Sequence, residues 1–256
     1  MIRSAQPYQI FAPFYNAWHD ESWYEEIFPF LMKETGLRPG DPVYEGGCGA
    51  GHLTRRLTEA GLPVFASDAS GEMLRLAKRR LAGQPVILRQ EDLRSMPIRR
   101  GFSAFIFCLD VIQYLGEKEL QTLFAKVYRC LPEGGVLVFD HLPEKLLRQR
   151  AKSPPIYYES EGRRMWWRTA IRGKTVRYDL FFWHNEKKMS ETQILRVYKK
   201  REIRRLLKQT GNWEVNGYGG YADTPMHASS ERFCWFATKQ SAGMQGKVND
   251  PIICKR

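Results

Sequence analysis

The sequence predicts a doubly wound α/β fold with a mostly parallel sheet, followed late in the chain by an antiparallel β-rich insertion. Three observations predict it. Between residues 41 and 140, short β-rich runs alternate with helical patterns. The runs are almost continuously apolar, as strands covered on both faces are. Residues 151–199 then break the rhythm with period-two alternation and clustered Trp, Tyr, Phe and Thr.

The elements follow in order. Residues 41–45, 62–66, 85–89, 103–109 and 136–140 are the five strands. The helix over 51–61 puts Leu53, Leu57 and Ala60 on one face; that over 70–82 does so with Met73, Leu74, Ala77 and Leu81. Ser70 and Glu72 suit the start of the second, as a cap and as a negative charge at the positive end of the helix. The helix over 117–131 carries Leu120, Leu123, Phe124, Val127 and Leu131, and Pro132-Glu133-Gly134-Gly135 stops it. In the insertion, residues 165–171, 175–184 and 192–199 read as a meander turning at Arg172-Gly173-Lys174 and Asn185-Glu186-Lys187. A helix over 200–211 and strands over 213–218 and 232–238 complete the pattern, and residues 241–256 read as a flexible tail. The expected organisation is N-terminal lid helices over 1–40, a core of 41–150 and 200–240, and a cap of 151–199.

The 256 residues are 43% hydrophobic and 13% aromatic, which excludes a disordered chain. No apolar run approaches the roughly 20 residues that span a bilayer. The first nine residues lack the apolar stretch of a signal peptide, so a cytoplasmic protein is expected. The five cysteines form no CxxC pair and no metal-ligand spacing; reduced thiols and no bound metal are expected. The net charge of +12 is unevenly spread: residues 1–50 carry 3 basic and 7 acidic groups, whereas 151–200 carry 12 and 5.

The informative segment is Val43-Tyr44-Glu45-Gly46-Gly47-Cys48-Gly49-Ala50-Gly51-His52. An apolar strand ends at a carboxylate, a glycine-rich turn follows, and a helix begins with free N–H groups. A dinucleotide fingerprint would place a third glycine at position 52, where His52 stands. A carboxylate at this turn is a poor neighbour for a pyrophosphate and suits a ligand bearing an ammonium group.

In these residues the chain resembles the class I, Rossmann-like S-adenosylmethionine-dependent methyltransferases, whose sheet has seven strands. The resemblance implies that Glu45, Gly47, Gly49 and Gly51 form the cofactor loop. It implies that Asp68, ending the second strand, holds the ribose hydroxyls, since an ionised carboxylate accepts two hydrogen bonds. Glu91-Asp92-Leu93 would line the adenine, with either Glu91 or Asp92 making the polar contact. Cys108, near the end of the fourth strand, would lie where cofactor and acceptor meet. Tyr8-Gln9-Ile10-Phe11-Ala12-Pro13-Phe14-Tyr15-Asn16 is similar to the lid helix of the small-molecule branch, with Tyr8 and Tyr15 closing over the cofactor and Asn16 replacing the usual aspartate.

The implied reaction moves a methyl group from S-adenosyl-L-methionine to an oxygen or nitrogen of a small molecule, leaving S-adenosyl-L-homocysteine. His141, at the carboxyl end of the fifth strand, is the first candidate base. Tyr114, Trp166 and His184 are candidates for substrate contact. Two other readings stand beside this one. The basic insertion could dock RNA or protein as the methyl acceptor, although solvated strand and helix faces are the commoner source of such charge runs. The protein could instead bind an adenosyl ligand without catalysis. Ser153-Pro154-Pro155-Ile156 is similar to a signature of amino-methylating nucleic-acid enzymes, but it follows the fifth strand rather than the fourth and lacks the final aromatic.

Overall fold

The computed structural model describes residues 7–18, 21–160, 162–184 and 187–241. The expected tail, apart from its first residue, lies outside them. The central sheet has seven strands in the order β10-β11-β5-β4-β1-β2-β3. These are β1 Val43–Gly46, β2 Val64–Asp68, β3 Val86–Gln90, β4 Ala104–Phe107, β5 Val136–His141, β10 Trp213–Tyr218 and β11 Phe233–Lys239. The first five run parallel; β11 enters antiparallel between β5 and β10. Every residue of β1, β4 and β5 is buried, which is why their sequences read as continuous apolar runs.

Helices cover both faces. α3 (His52–Glu59), α4 (Gly71–Arg80) and α5 (Glu117–Cys130) fall where the periodicity puts them. The Ser70 hydroxyl accepts the Met73 N–H at 3.2 Å, as a cap should. α7 (Lys200–Thr210) packs on α5. The N-terminal pair divides. α1 (Ala12–Trp18) packs against α4 and the insertion. α2 (Trp23–Thr35) sends Ile27, Phe30 and Leu31 into the core beside α3, so most of it is scaffold and not lid.

After β5 the chain makes α6 (Glu144–Lys152) and then a four-stranded antiparallel cap sheet, β6-β7-β8-β9. The strands are β6 Ile156–Ser160, β7 Arg163–Arg172, β8 Thr175–His184 and β9 Lys187–Arg196. The sequence reading expects three strands here, placing the last at 192–199. Two inward-facing polar residues, Glu191 and Gln193, explain the misplacement, because they hide the alternation of β9. The inner face of the cap joins Phe11, Phe14, Leu142 and Leu147 in one apolar cluster. The outer face meets solvent.

The chain winds from β1 to β3 in one direction, then returns to β4 and β5 on the other side of β1. This reversal opens a crevice at the carboxyl ends of β1 and β4, where open α/β sheets bind ligands.

Candidate active site

A cleft of about 1090 Å³, including the part open to solvent, occupies this crevice. β1 delivers Glu45 into it. The side chain is buried, and the Thr54 hydroxyl on α3 donates to its Oε2 at 2.6 Å. Burial raises the Glu45 carboxyl to about 8, from an ordinary value of 4.5. It therefore sits ready for a cation that would share its desolvated oxygens.

The turn after β1 holds Gly47, Gly49 and Gly51 at φ of 70°, 55° and 82°. A side chain on Gly47 would meet the Val111 Cγ2 at 2.5 Å, so the loop can only lie this close to the β4 side as glycine. Gly51 caps α3 and packs against Ala77. It shapes the turn without bordering the cleft.

Asp68 ends β2 and faces the loop. Its Oδ2 accepts the Gly49 N–H at 2.9 Å and its Oδ1 the Ser70 N–H at 2.8 Å. Burial raises its carboxyl despite these two bonds. Glu91 and Asp92 both border the cleft, but their surroundings differ. The Arg99 guanidinium grips Glu91 with contacts of 2.5 and 2.8 Å, and the Tyr44 hydroxyl adds a third at 3.3 Å. Asp92 is more exposed and pairs with Arg94 at 2.7 Å. Both carboxylates are thus paired with an arginine, Glu91 the more deeply buried of the two. Leu93 and Cys108 line the apolar part of the wall. Burial raises the Cys108 thiol well above its usual range, so it is a packing group and not a nucleophile.

Directly after β4, Leu109 and Asp110 both adopt positive φ, 63° and 70°. For side-chain-bearing residues this costs on the order of 1–3 kcal/mol each and persists only where surroundings enforce it. Asp140 on β5 does the enforcing. Its carboxylate is fully buried and accepts the Leu109 N–H at 2.7 Å and the Asp110 N–H at 2.8 Å. Arg232 donates to Asp140 at 2.7 Å and also to Asp110, while the Tyr221 hydroxyl donates to Asp140. Asp140 stands in the sequence as a strand end, but nothing there signals its partners, which lie 81 and 92 residues further on.

The lid is latched from the cap. Glu191 on β9 is buried and accepts the N–H groups of Tyr8, Ile10 and Phe11 at 2.7, 2.9 and 3.1 Å. Gln193 donates to Glu191 at 2.7 Å and accepts the Tyr114 hydroxyl at 2.7 Å; that hydroxyl lies 3.1 Å from the Tyr8 hydroxyl. Tyr8, Tyr15 and Tyr114 all line the cleft, and Tyr24 of α2 joins them. Sequence reasoning missed Tyr24, Glu191 and Gln193. Only the two polar interruptions in an otherwise alternating strand point to the latter pair.

Three expected site residues stand elsewhere. His141 does not border the cleft. It is fully buried, its ring stacks on Trp235 with centroids 6.3 Å apart, and its Nδ1 faces the Leu142 carbonyl at 3.3 Å. Burial lowers it to about 4, so it stays neutral in the core. The cause is strand pleat: at the end of β5, His141 points into the aromatic layer while Asp140 points to the site. Trp166 lies on the outer face of the cap, 47% exposed and away from the cleft. His184 ends β8, and its side chain lies outside the described residues.

The chemistry of the lining selects among ligands. Glu45 and Asp68 face the loop where a phosphate binder would need donors and cations. Among the described lining residues the one cation is Arg94, already paired with Asp92 and Glu119. An ammonium and a vicinal diol fit such a cleft; a pyrophosphate does not.

Comparison with known proteins agrees with this chemistry. Residues 44–139 match the family model described as "Methyltransferase domain". The chain carries a methyltransferase domain over those residues. This methyltransferase is 28% identical over 241 residues to the "Putative methyltransferase YqeM" of Bacillus subtilis (strain 168), spanning 91% of this chain and 97% of the relative. Among solved structures, an S-adenosylmethionine-dependent methyltransferase from Clostridium acetobutylicum shares the fold with a TM-score of 0.78 at 24% identity, over 92% of this chain and all of the other. S-adenosylmethionine-bound CalS10 of Micromonospora echinaspora, an amino pentose methyltransferase, does so with a TM-score of 0.70 at 20% identity, over 93% and 100%. Among the described residues no cluster of His, Cys, Asp and Glu could hold a metal ion, and no helix is long and apolar enough to cross a membrane.

Proposed function

We propose that this methyltransferase methylates an oxygen or nitrogen atom of a small molecule that enters between the lid and the cap. The observation that carries the reading is the enclosure of the cleft by Tyr8, Tyr15 and Tyr114, latched by Glu191 and Gln193. A tyrosine-walled slot of this kind admits a compact acceptor and excludes water. The structural similarity to CalS10, an amino pentose methyltransferase, and to KedS8, a sugar N-methyltransferase, supports the same acceptor class.

Bound S-adenosylmethionine supplies an electrophilic methyl group on a sulfonium. The protein's part is placement. Glu45 holds the ammonium, Asp68 the ribose hydroxyls, and Asp92 with Leu93 the adenine. The strained Leu109–Asp110 turn and Cys108 set the floor on which donor and acceptor meet. Alignment of this kind contributes up to about 7–11 kcal/mol to such displacements. Burial raises the Tyr8 and Tyr114 hydroxyls well above their usual range, so both stay protonated and act by orienting the acceptor. Tyr114 is the substrate-contact residue of this reading; Trp166 is not part of it.

Methyl-labelled cofactor incubated with fractionated cell extract tests the proposal. Label in a small metabolite is expected. Label in RNA or protein overturns the acceptor class, and tight binding with no labelled product overturns catalysis.

A further inference from the structure

The outer face of the cap sheet takes no part in the cleft. Strand pairing sets Tyr157 beside Trp166 and Trp166 beside Phe181, with Arg164 beside Trp183 and Trp183 beside Lys188 in the next row. These six side chains line a shallow groove of about 900 Å³, including open solvent. Tyr157 and Trp166 are 51% and 47% exposed. Their rings sit edge-on, with centroids 6.3 Å apart, and Trp166 meets Trp183 in the same way at 6.5 Å. The Lys188 ammonium lies 5.6 Å from the Trp183 ring.

The same face carries Arg164, Arg168, Arg172, Arg177, Lys188 and Arg196 against the carboxylates Glu159 and Asp179. Arg168 and Arg177 pair with Asp179, and Arg196 with Glu117, so Arg164 and Lys188 are the cations that border the groove itself. A solvated strand face needs charge, but it does not need aromatic rings at the centre of that charge. Apolar rings on an open sheet cost free energy unless something covers them.

We propose that the outer face of the cap is a binding site for single-stranded RNA, with bases stacking on Tyr157, Trp166 and Trp183 and the surrounding arginines meeting phosphates. A sheet bearing exposed aromatics flanked by cations meets the physical requirement for stacking unpaired bases while neutralising their backbone. Five of the six cations are arginine, which pairs with phosphate bidentately and stacks on bases as lysine does not. A second copy of this chain fits worse, because a twofold contact would set these cations face to face. A lipid surface also fits worse, because Glu159 and Asp179 lie among the rings and cations on the same face and would meet an anionic headgroup. The site goes beyond the proposed reaction. It lies on the side of the cap away from the cleft, so the RNA is a tether and not the methyl acceptor.

Fluorescence anisotropy with fluorescein-labelled dodecamers of uridylate and adenylate, without any methyl donor, tests the site independently of turnover. The wild-type protein is expected to bind both, with a steep loss of affinity as salt rises. Trp166→Ala weakens binding roughly tenfold or more. Arg164→Ala weakens it evenly for both oligomers and lowers the salt slope by about one. Both variants keep wild-type affinity for S-adenosylhomocysteine, which reports an intact fold. Three results overturn the proposal: no binding at low salt, equal binding by Trp166→Ala and wild type, or the anionic vesicle (phosphatidylglycerol in phosphatidylcholine) bound in place of RNA. A dimer in light scattering that Trp166→Ala dissociates overturns it too, assigning the face to self-association.

Discussion

In the seven-stranded sheet, β1, β4 and β5 are buried along their whole length, while in the cap sheet β7 and β9 present one more buried and one more open face. Both sheets carry a buried aspartate bound to arginine. Asp140 is sealed among backbone N–H groups, Arg232 and Tyr221. Asp179, on β8, pairs with Arg168 at 3.3 Å and Arg177 at 2.7 Å, and both guanidinium groups are mostly in water. The same chemistry therefore does different work. In the core it forces a strained turn into shape at the edge of the cleft; in the cap it ties strands together on a wet surface.

That contrast predicts unequal costs. Asp140→Ala leaves Arg232 buried with half its compensation and removes the acceptor for two N–H groups. It should lose about 3–5 kcal/mol in urea unfolding, together with most activity. Asp179→Ala should lose about 1 kcal/mol or less and leave turnover unchanged. Equal losses would erase the distinction between the two sheets. Next in size is Glu45→Gln, which keeps the shape and removes the charge. Affinity for S-adenosylhomocysteine by calorimetry should fall by about 2–5 kcal/mol, as for a buried charged pair losing one partner.

The same residue sharpens the comparison through pH. Glu45 is at about 8 in the unliganded fold and near 4.5 when unfolded. Its protonated form is therefore favoured in the fold. The unliganded protein should lose stability as pH rises from about 4.5 to about 8, by at most about 1.4 kcal/mol per unit. Ligand affinity moves the other way. Binding an ammonium needs the ionised carboxylate, so S-adenosylhomocysteine affinity should climb by up to about tenfold per unit below pH 8 and then level off. Glu45→Gln should flatten both profiles.

Smaller effects separate lid from core. Glu191→Gln weakens three bonds to the lid, and should raise KM about three- to tenfold with little change in urea midpoint. Faster proteolysis near residues 8–15 would accompany it. His141→Asn should leave turnover within about twofold across the pH range. A large loss with a shifted pH profile would restore the histidine to the reaction.

The sequence makes the core sheet legible because its period and its burial agree: apolar runs became β1, β4 and β5, and Ser70 and Gly51 became caps. Much of the cleft lining was legible as well, since Glu45, Gly47, Gly49, Asp68, Asp92 and Leu93 lie on consecutive loops along one edge. The lid latch and the Asp140 cluster were not legible. Their bonds to backbone N–H groups span from 30 to 183 positions, and no local pattern marks a carboxylate for a distant N–H. His141 shows the limit within a single strand: its neighbour Asp140 has the site, and one residue of pleat decides which.

Arg232 has a consequence for the order of synthesis. The glycine loop and Asp68 leave the ribosome early, whereas the guanidinium that steadies Asp110 and Asp140 emerges more than 120 residues after Asp110. β11 must also slot between β5 and β10 before that corner closes. A nascent chain can thus shape the cofactor edge well before the turn opposite it is locked, and methyl transfer becomes competent only as the last strand is laid down.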